Sequence, residues 1–121
     1  MTLTLYLAVV AAGALGALAR WGVSVAVAAR WRRPGLGTLM VNLLGAFALG
    51  AWLGAAAELD AGWLVVVGMG FLGAFTTFST WMAELAARWR AGAMLGAILE
   101  GVATLGAGTA LAVLGALLTS P

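Results

Sequence analysis

Gly70-Phe71-Leu72-Gly73-Ala74-Phe75-Thr76-Thr77-Phe78-Ser79-Thr80-Trp81 is a run of glycines, aromatics and hydroxyls inside a stretch otherwise apolar enough to cross a membrane. Hydrocarbon forms no hydrogen bonds, so polar groups persist there only where protein or a water-filled cavity satisfies them. Thr76, Thr77, Ser79 and Thr80 place four hydroxyls in five positions. That density reads as a functional site.

Outward from this stretch the chain is 64% hydrophobic and 8% charged over 121 residues. A soluble domain carries about 25% charged residues, so the solvent of this protein is lipid. Apolar runs over 3–28, 36–57, 62–87 and 92–118 are each long enough for a ~30 Å hydrocarbon core at ~1.5 Å per residue. They predict an all-α membrane protein of four helices forming a single transmembrane domain, 1–121. The first run lacks a basic leader and is too long for a signal peptide, so it reads as a retained helix. Trp31, Trp63 and Trp89 fall at span ends, where amphipathic rings prefer the headgroup layer.

The chain has no His and no Cys, which removes thiol and imidazole chemistry, disulfides and the usual transition-metal sites. Its carboxylates are Glu58, Asp60, Glu84 and Glu100, too few and too scattered for acid–base catalysis. An enzyme is not expected. All cations are arginines, and they mark topology rather than nucleic-acid binding. Arg30, Arg32, Arg33, Arg88 and Arg90 flank the first and third loops, whereas the opposite side carries Glu58 and Asp60 alone. The positive-inside rule places the Arg-bearing loops in the cytoplasm and both termini outside, across the cytoplasmic (inner) membrane. Gly50-x-x-x-Gly54, Gly92-x-x-x-Gly96, Gly13 and Gly16 suit close helix contact. Four short helices enclose little volume, so oligomerisation is the natural route to a conduit.

Several polar residues inside the spans admit two readings. Arg20 either snorkels toward the Arg-rich face or attracts an anion. Asn42, an uncharged donor, reads first as interhelical glue and second as a permeation site. Gly68, Gly70 and Gly73 before Thr76 and Thr77 weaken the third helix. A local unwinding over 73–77 would expose carbonyls for a cation. Composition slightly favours a continuous helix with its hydroxyls bonded back to earlier carbonyls. Phe78 and Trp81, three apart, share a face and either pack or turn positive ring edges to an anion. Glu84 reads as a solvated helix-end charge. Glu100 and Thr104 share a stripe of the last helix, and an intramembrane carboxylate there is neutral or paired with an arginine.

Together these motifs resemble the Fluc (CrcB) family of fluoride channels over nearly the whole chain. The resemblance rests on Gly13-x-x-Gly16-Ala17-x-x-Arg20-Trp21, on Gly37-Thr38-Leu39-x-x-Asn42-x-x-Gly45-x-Phe47, and above all on Gly70-Phe71-x-Gly73-x-x-Thr76-Thr77-Phe78-Ser79-Thr80. It implies a passive, fluoride-selective channel built as an antiparallel, dual-topology dimer with two pores and a break in the third helix. It also implies a central structural Na⁺ held by backbone carbonyls of both subunits, here at Gly73 and Thr76. By the same resemblance Asn42, Phe78, Ser79, Thr80 and Trp81 meet fluoride, Arg20 and Glu84 serve the vestibule, and Glu100 and Thr104 form a polar track. Three departures stand out: Trp81 replaces the second pore phenylalanine, Ala74 replaces a glycine at the break, and Glu100 replaces a Tyr or Asn.

Two other functions compete with a fluoride channel. A proton-coupled exporter of the small multidrug-resistance type shares the four-helix size, but commonly needs a carboxylate in the first helix, and this first helix has none. A non-transporting assembly subunit is the second. The one-sided arginines also bear on the partner, since a chain that inserts both ways should have balanced charge. The second subunit is therefore either another copy or a paralogue inserted oppositely.

Overall fold

The computed structural model describes residues 2–121, and every element in it is helical. The first helix, Leu3–Trp31, starts where the Thr2 hydroxyl accepts the N–H of Leu5 at 3.3 Å. It stops at Arg32, which turns into the left-handed region (φ 49°) with its N–H on the Ala28 carbonyl. Pro34 lacks an N–H and cannot prolong it. The second helix, Leu36–Gly54, ends in a 3₁₀ turn over Ala56–Glu58. The third span, Ala61–Arg90, begins under an Asp60 cap that accepts the Gly62 N–H at 2.7 Å. The fourth helix is Met94–Thr119. All four spans are long and apolar enough to cross a membrane, so this is a multi-pass membrane protein.

The third span is not one regular helix. Leu64–Leu72 is wound as a π-helix, and a single α-turn, Gly73–Phe75, follows it. The chain then opens at Thr76 (ψ 161°) and Thr77 (φ −147°, ψ 117°) before a second helix, Phe78–Arg90. The slight compositional preference for a continuous helix is thus overturned, and the break lies at 76–77. Ala74 sits in the intact turn just before it, where a Cβ is harmless.

Glycine sets how the spans pack. The second and fourth helices lie backbone to backbone: a Cβ on Gly50 would fall on the Ala112 carbonyl, one on Gly54 on that of Ala116, and one on Gly115 on that of Phe47. The first helix approaches the third span in the same way, with Gly16 against the Phe71 carbonyl. Gly92 and Gly96 do none of this, since nothing described lies within 4 Å of a Cβ at either. The first helix keeps an apolar outer face, with Leu7, Leu15, Leu18 and Trp21 each at least 60% exposed. Both Arg-bearing loops lie at one end of the bundle, where Arg88 donates to the Pro34 carbonyl at 3.5 Å.

Candidate functional site

The break is made by Asn42. Its Oδ1 accepts the Thr77 N–H at 2.8 Å and its Nδ2 donates to the Thr77 carbonyl at 2.9 Å, so one side-chain amide holds both backbone polar groups of a single residue. In a continuous helix the Thr77 N–H would go to the Gly73 carbonyl. Asn42, from the second helix, takes it instead. The interhelical reading of Asn42 is correct for these two bonds, and one further N–H remains on Nδ2.

Thr77 then starts the C-terminal half of the third span. Its Oγ1 accepts the Thr80 N–H at 3.2 Å as an N-cap, donates to Thr80 Oγ1 at 3.0 Å, and lies 3.4 Å from Ser79 Oγ. Ser79 and Thr80 are exposed while Thr77 is buried, so the hydroxyl cluster runs from core to surface. The next turn carries the aromatic pair. Phe78 and Trp81 meet edge to face, with centroids 5.9 Å apart and planes at 73°. Their environments differ sharply: Phe78 is 69% exposed and Trp81 6%. An open cleft of about 440 Å³ runs beside them, bordered by Asn42, Thr76, Thr77, Phe78, Trp81 and Thr104 among others.

Arg20 does not simply snorkel. Its Nη1 donates to the Thr76 carbonyl at 3.3 Å, next to the break. The Thr76 hydroxyl bonds back to the Leu72 carbonyl at 3.1 Å, as a hydroxyl in a helical turn does. Among the described residues no group of three or more His, Cys, Asp or Glu is placed to hold a metal ion. A cation at the break would therefore rest on carbonyl oxygens, which are hard donors suited to an alkali ion. Gly73 fits, because its carbonyl has lost the Thr77 N–H to Asn42. The Thr76 carbonyl accepts the Arg20 guanidinium, so a cation there would have to displace that contact.

Toward the loop end, Glu84 is intermediate in exposure. It accepts the hydroxyl of buried Thr38 at 2.7 Å. Glu100 is paired with Arg88 of the same chain, both side chains about one-third exposed (31% and 35%). Glu100 and Thr104 thus part company: Thr104 is buried against the cleft, whereas Glu100 faces the third span's arginine.

Three residues complete this arrangement with partners that the sequence does not assign them: Thr77, Thr38 and Arg88. Thr77 carried a usable signal, a hydroxyl three residues before Thr80 at the point where a glycine-weakened helix restarts. Thr38 lies in the quoted Gly37-Thr38-Leu39 motif. Nothing local singles out Arg88 from Arg90.

Residues 7–116 match the family of CrcB-like proteins, described as Camphor Resistance (CrcB). The chain is 46% identical over 95 residues to the fluoride-specific ion channel FluC of Saccharophagus degradans, covering 75% of this chain and 71% of that protein. It is 57% identical over 68 residues to fluoride-specific ion channel FluC 1 of Geobacillus kaustophilus (56% and 57% covered). A FluC of Escherichia fergusonii is 43% identical over 86 residues, covering 69% and 68%.

Proposed function

This chain belongs to the CrcB family, and we propose that it is a passive channel for fluoride. The observation that carries the reading is the broken third span, held open by Asn42 on Thr77, with Phe78, Ser79 and Thr80 beginning the next helix beside a Thr104-bordered cleft. Fluoride is small, strongly hydrated and a strong hydrogen-bond acceptor. A selective path must replace its water with close donors and still release it. The remaining Asn42 N–H, the Ser79 and Thr80 hydroxyls and the positive edges of Phe78 and Trp81 are neutral, so they replace water without trapping charge. The chain contains no lysine to hold the anion fast. Arg20 and Glu84 set the charge at the vestibule, and Thr104 continues the polar lining. Glu100, neutralised by Arg88, does not repel an entering anion.

The functional unit in this reading is an antiparallel dimer with two pores, each chain contributing residues 1–121 as one transmembrane domain. The largely exposed apolar face of the first helix and the open cleft support a second subunit. A central Na⁺ is held by the Gly73 and Thr76 carbonyls of both chains, and binding it requires the Arg20 guanidinium to give up the Thr76 oxygen to which it donates. The ion supplies positive potential that lowers the cost of an anion in low dielectric. The cytoplasmic membrane, with Arg-bearing loops inside and termini outside, follows from the arginine bias. Against that bias, an oppositely inserted paralogue is a better cellular partner than an identical copy.

Fluoride efflux from proteoliposomes of the purified chain, with chloride as the control ion, tests the channel. Fluoride flux with chloride excluded is expected. Silence from a correctly folded dimer defeats the proposal, and pH-driven uptake of lipophilic cations would point to an exporter instead. Side-specific labelling of single-Cys variants in native membranes tests the partner, since equal labelling from both faces rules out a fixed orientation.

A further inference from the structure

A second groove, of about 550 Å³, runs between Phe78–Arg90 and the fourth helix. It opens to the outside of the bundle, since Val102 and Leu105 on its wall are 65% and 60% exposed. Trp81 and Leu105 bound it near the break, the small residues Ala97 and Gly101 form its floor, and Trp89 and Arg90 lie at its far end. Apart from the two indoles and Arg90, its lining carries no polar side chain. From Trp81 to Arg90 a helix rises about 13 Å at ~1.5 Å per residue, close to one leaflet of a ~30 Å hydrocarbon core. The far end is chemically different from the rest. Arg88 and Arg90 share the last turn of their helix, but Arg88 is paired with Glu100. Arg90 is exposed and has no carboxylate partner among the described residues. Trp89 beside it is half-exposed, as suits an indole at the headgroup layer. The fourth helix starts at Met94 without a side-chain cap, and its positive end adds to the potential around Arg90.

We propose that this groove is a binding site for an anionic phospholipid, with one acyl chain lying on Ala97 and Gly101 and the phosphate meeting Arg90 beside the Trp89 indole. An acyl chain asks for no hydrogen bonds and is about one leaflet long, which is what the groove offers. Its methylenes gain little here over the surrounding lipid, because lipid tails are as apolar as the lining. Selection therefore falls to the headgroup. A zwitterionic headgroup brings a cation to the same place and cancels part of the attraction to Arg90, whereas an anionic one does not. Basic pockets between transmembrane helices bind anionic headgroups on this principle. The site requires a membrane-spanning chain and no transport, so it is independent of the fluoride reading. A second copy of the chain is the competing occupant of the groove.

The test equilibrates the purified full chain in detergent with dioleoyl phosphatidylglycerol or dioleoyl phosphatidylcholine and reads bound lipid by native mass spectrometry. Wild type should prefer phosphatidylglycerol. One arginine near a membrane surface is worth about fivefold in affinity for an anionic lipid, so Arg90→Gln should weaken phosphatidylglycerol binding by about that factor. Gly101→Leu, which fills the floor, should weaken it as well. Arg33→Gln removes an exposed arginine from the same end but outside the groove, and should stay within twofold of wild type. Equal binding of the two lipids by wild type, or an Arg90→Gln value within twofold of it, overturns the proposal. An equal loss in Arg33→Gln overturns it too, because the attraction would then be a diffuse field and not a site. So does a Gly101→Leu chain that loses its dimer and keeps its phosphatidylglycerol, which would give the groove to the second subunit. Should the variants fail to fold, wild type in phosphatidylcholine bilayers decides the matter, doped with equal fractions of either lipid brominated along its chains. Tryptophan fluorescence should be quenched more by the brominated phosphatidylglycerol, and equal quenching overturns the proposal.

Discussion

Asn42→Ala removes both bonds that hold the third span open, the 2.8 Å bond from the Thr77 N–H and the 2.9 Å bond to its carbonyl. An unmet buried polar group costs about 1–3 kcal/mol, whereas interhelical bonds inside membranes average about 0.6 kcal/mol. The two groups here are part-buried, so the combined loss falls between these limits, about 2–3 kcal/mol. Thr77 has one alternative acceptor, the Gly73 carbonyl, which it reaches only if 76–77 become helical. Each residue advances an α-helix by about 100°, so that rescue rotates Phe78, Ser79, Thr80 and Trp81 away from the cleft. The variant therefore loses flux whether it leaves Thr77 unpaired or repairs the helix. Unfolding in mixed detergent micelles measures the stability change, and proteoliposome efflux measures the flux. A stability change below about 0.5 kcal/mol with normal fluoride flux would refute the reasoning. Asn42→Asp refines it: the acceptor for the Thr77 N–H remains, but the donor is lost and a negative charge faces both the carbonyl and the anion, so flux is again abolished.

Phe78→Ala should suppress fluoride flux with little effect on subunit stability, because the ring is 69% exposed and little packing is lost; unaltered flux counts against its place on the path. Thr76→Ala should be mild in flux and in Na⁺ dependence, since the proposed cation contact uses the carbonyl. A severe Na⁺-dependent assembly defect would assign the role to the side chain. Arg88→Gln leaves Glu100 as an uncompensated intramembrane charge and should destabilise by about 1–2 kcal/mol, the partial exposure of the pair limiting the effect. Glu100→Gln in the same chain should recover most of that loss, and additive losses would show that the pair is not coupled. Gly50→Leu should cost about 3 kcal/mol or more, because the new side chain meets the Ala112 backbone and cannot be absorbed by a rotamer change. Folding yield in detergent reads this out, and a wild-type yield would mean that the two helices can separate.

Much of this protein is legible one residue at a time. Hydropathy and helix length require four spans, and turn and capping residues such as Thr2, Asp60 and Pro34 place their ends. The arginine bias belongs to the same class, as does the unusual polarity of 70–81, because each is a property of local composition in an apolar solvent. What spacing cannot choose is a partner. Gly50-x-x-x-Gly54 and Gly92-x-x-x-Gly96 look alike in sequence, yet the first pair sits against the fourth helix's carbonyls and the second meets nothing described within 4 Å.

The chain's linear order likewise says that Gly73 to Thr77 is a weak helix, but not whether it breaks. The decision belongs to Asn42, thirty-five residues away in sequence and in hydrogen-bond contact in space. Glu100 meets Arg88, and Glu84 meets the Thr38 hydroxyl, for the same reason: in a low-dielectric interior a polar group adopts whichever partner packing brings within reach. Trp81 is the sharpest case. Sequence alone sets it three residues from Phe78 on a shared face, without saying which ring is interior. Tertiary packing of the third span against the fourth helix exposes one ring and buries the other with its N–H unpaired, because only the folded bundle decides which side of a helix is interior.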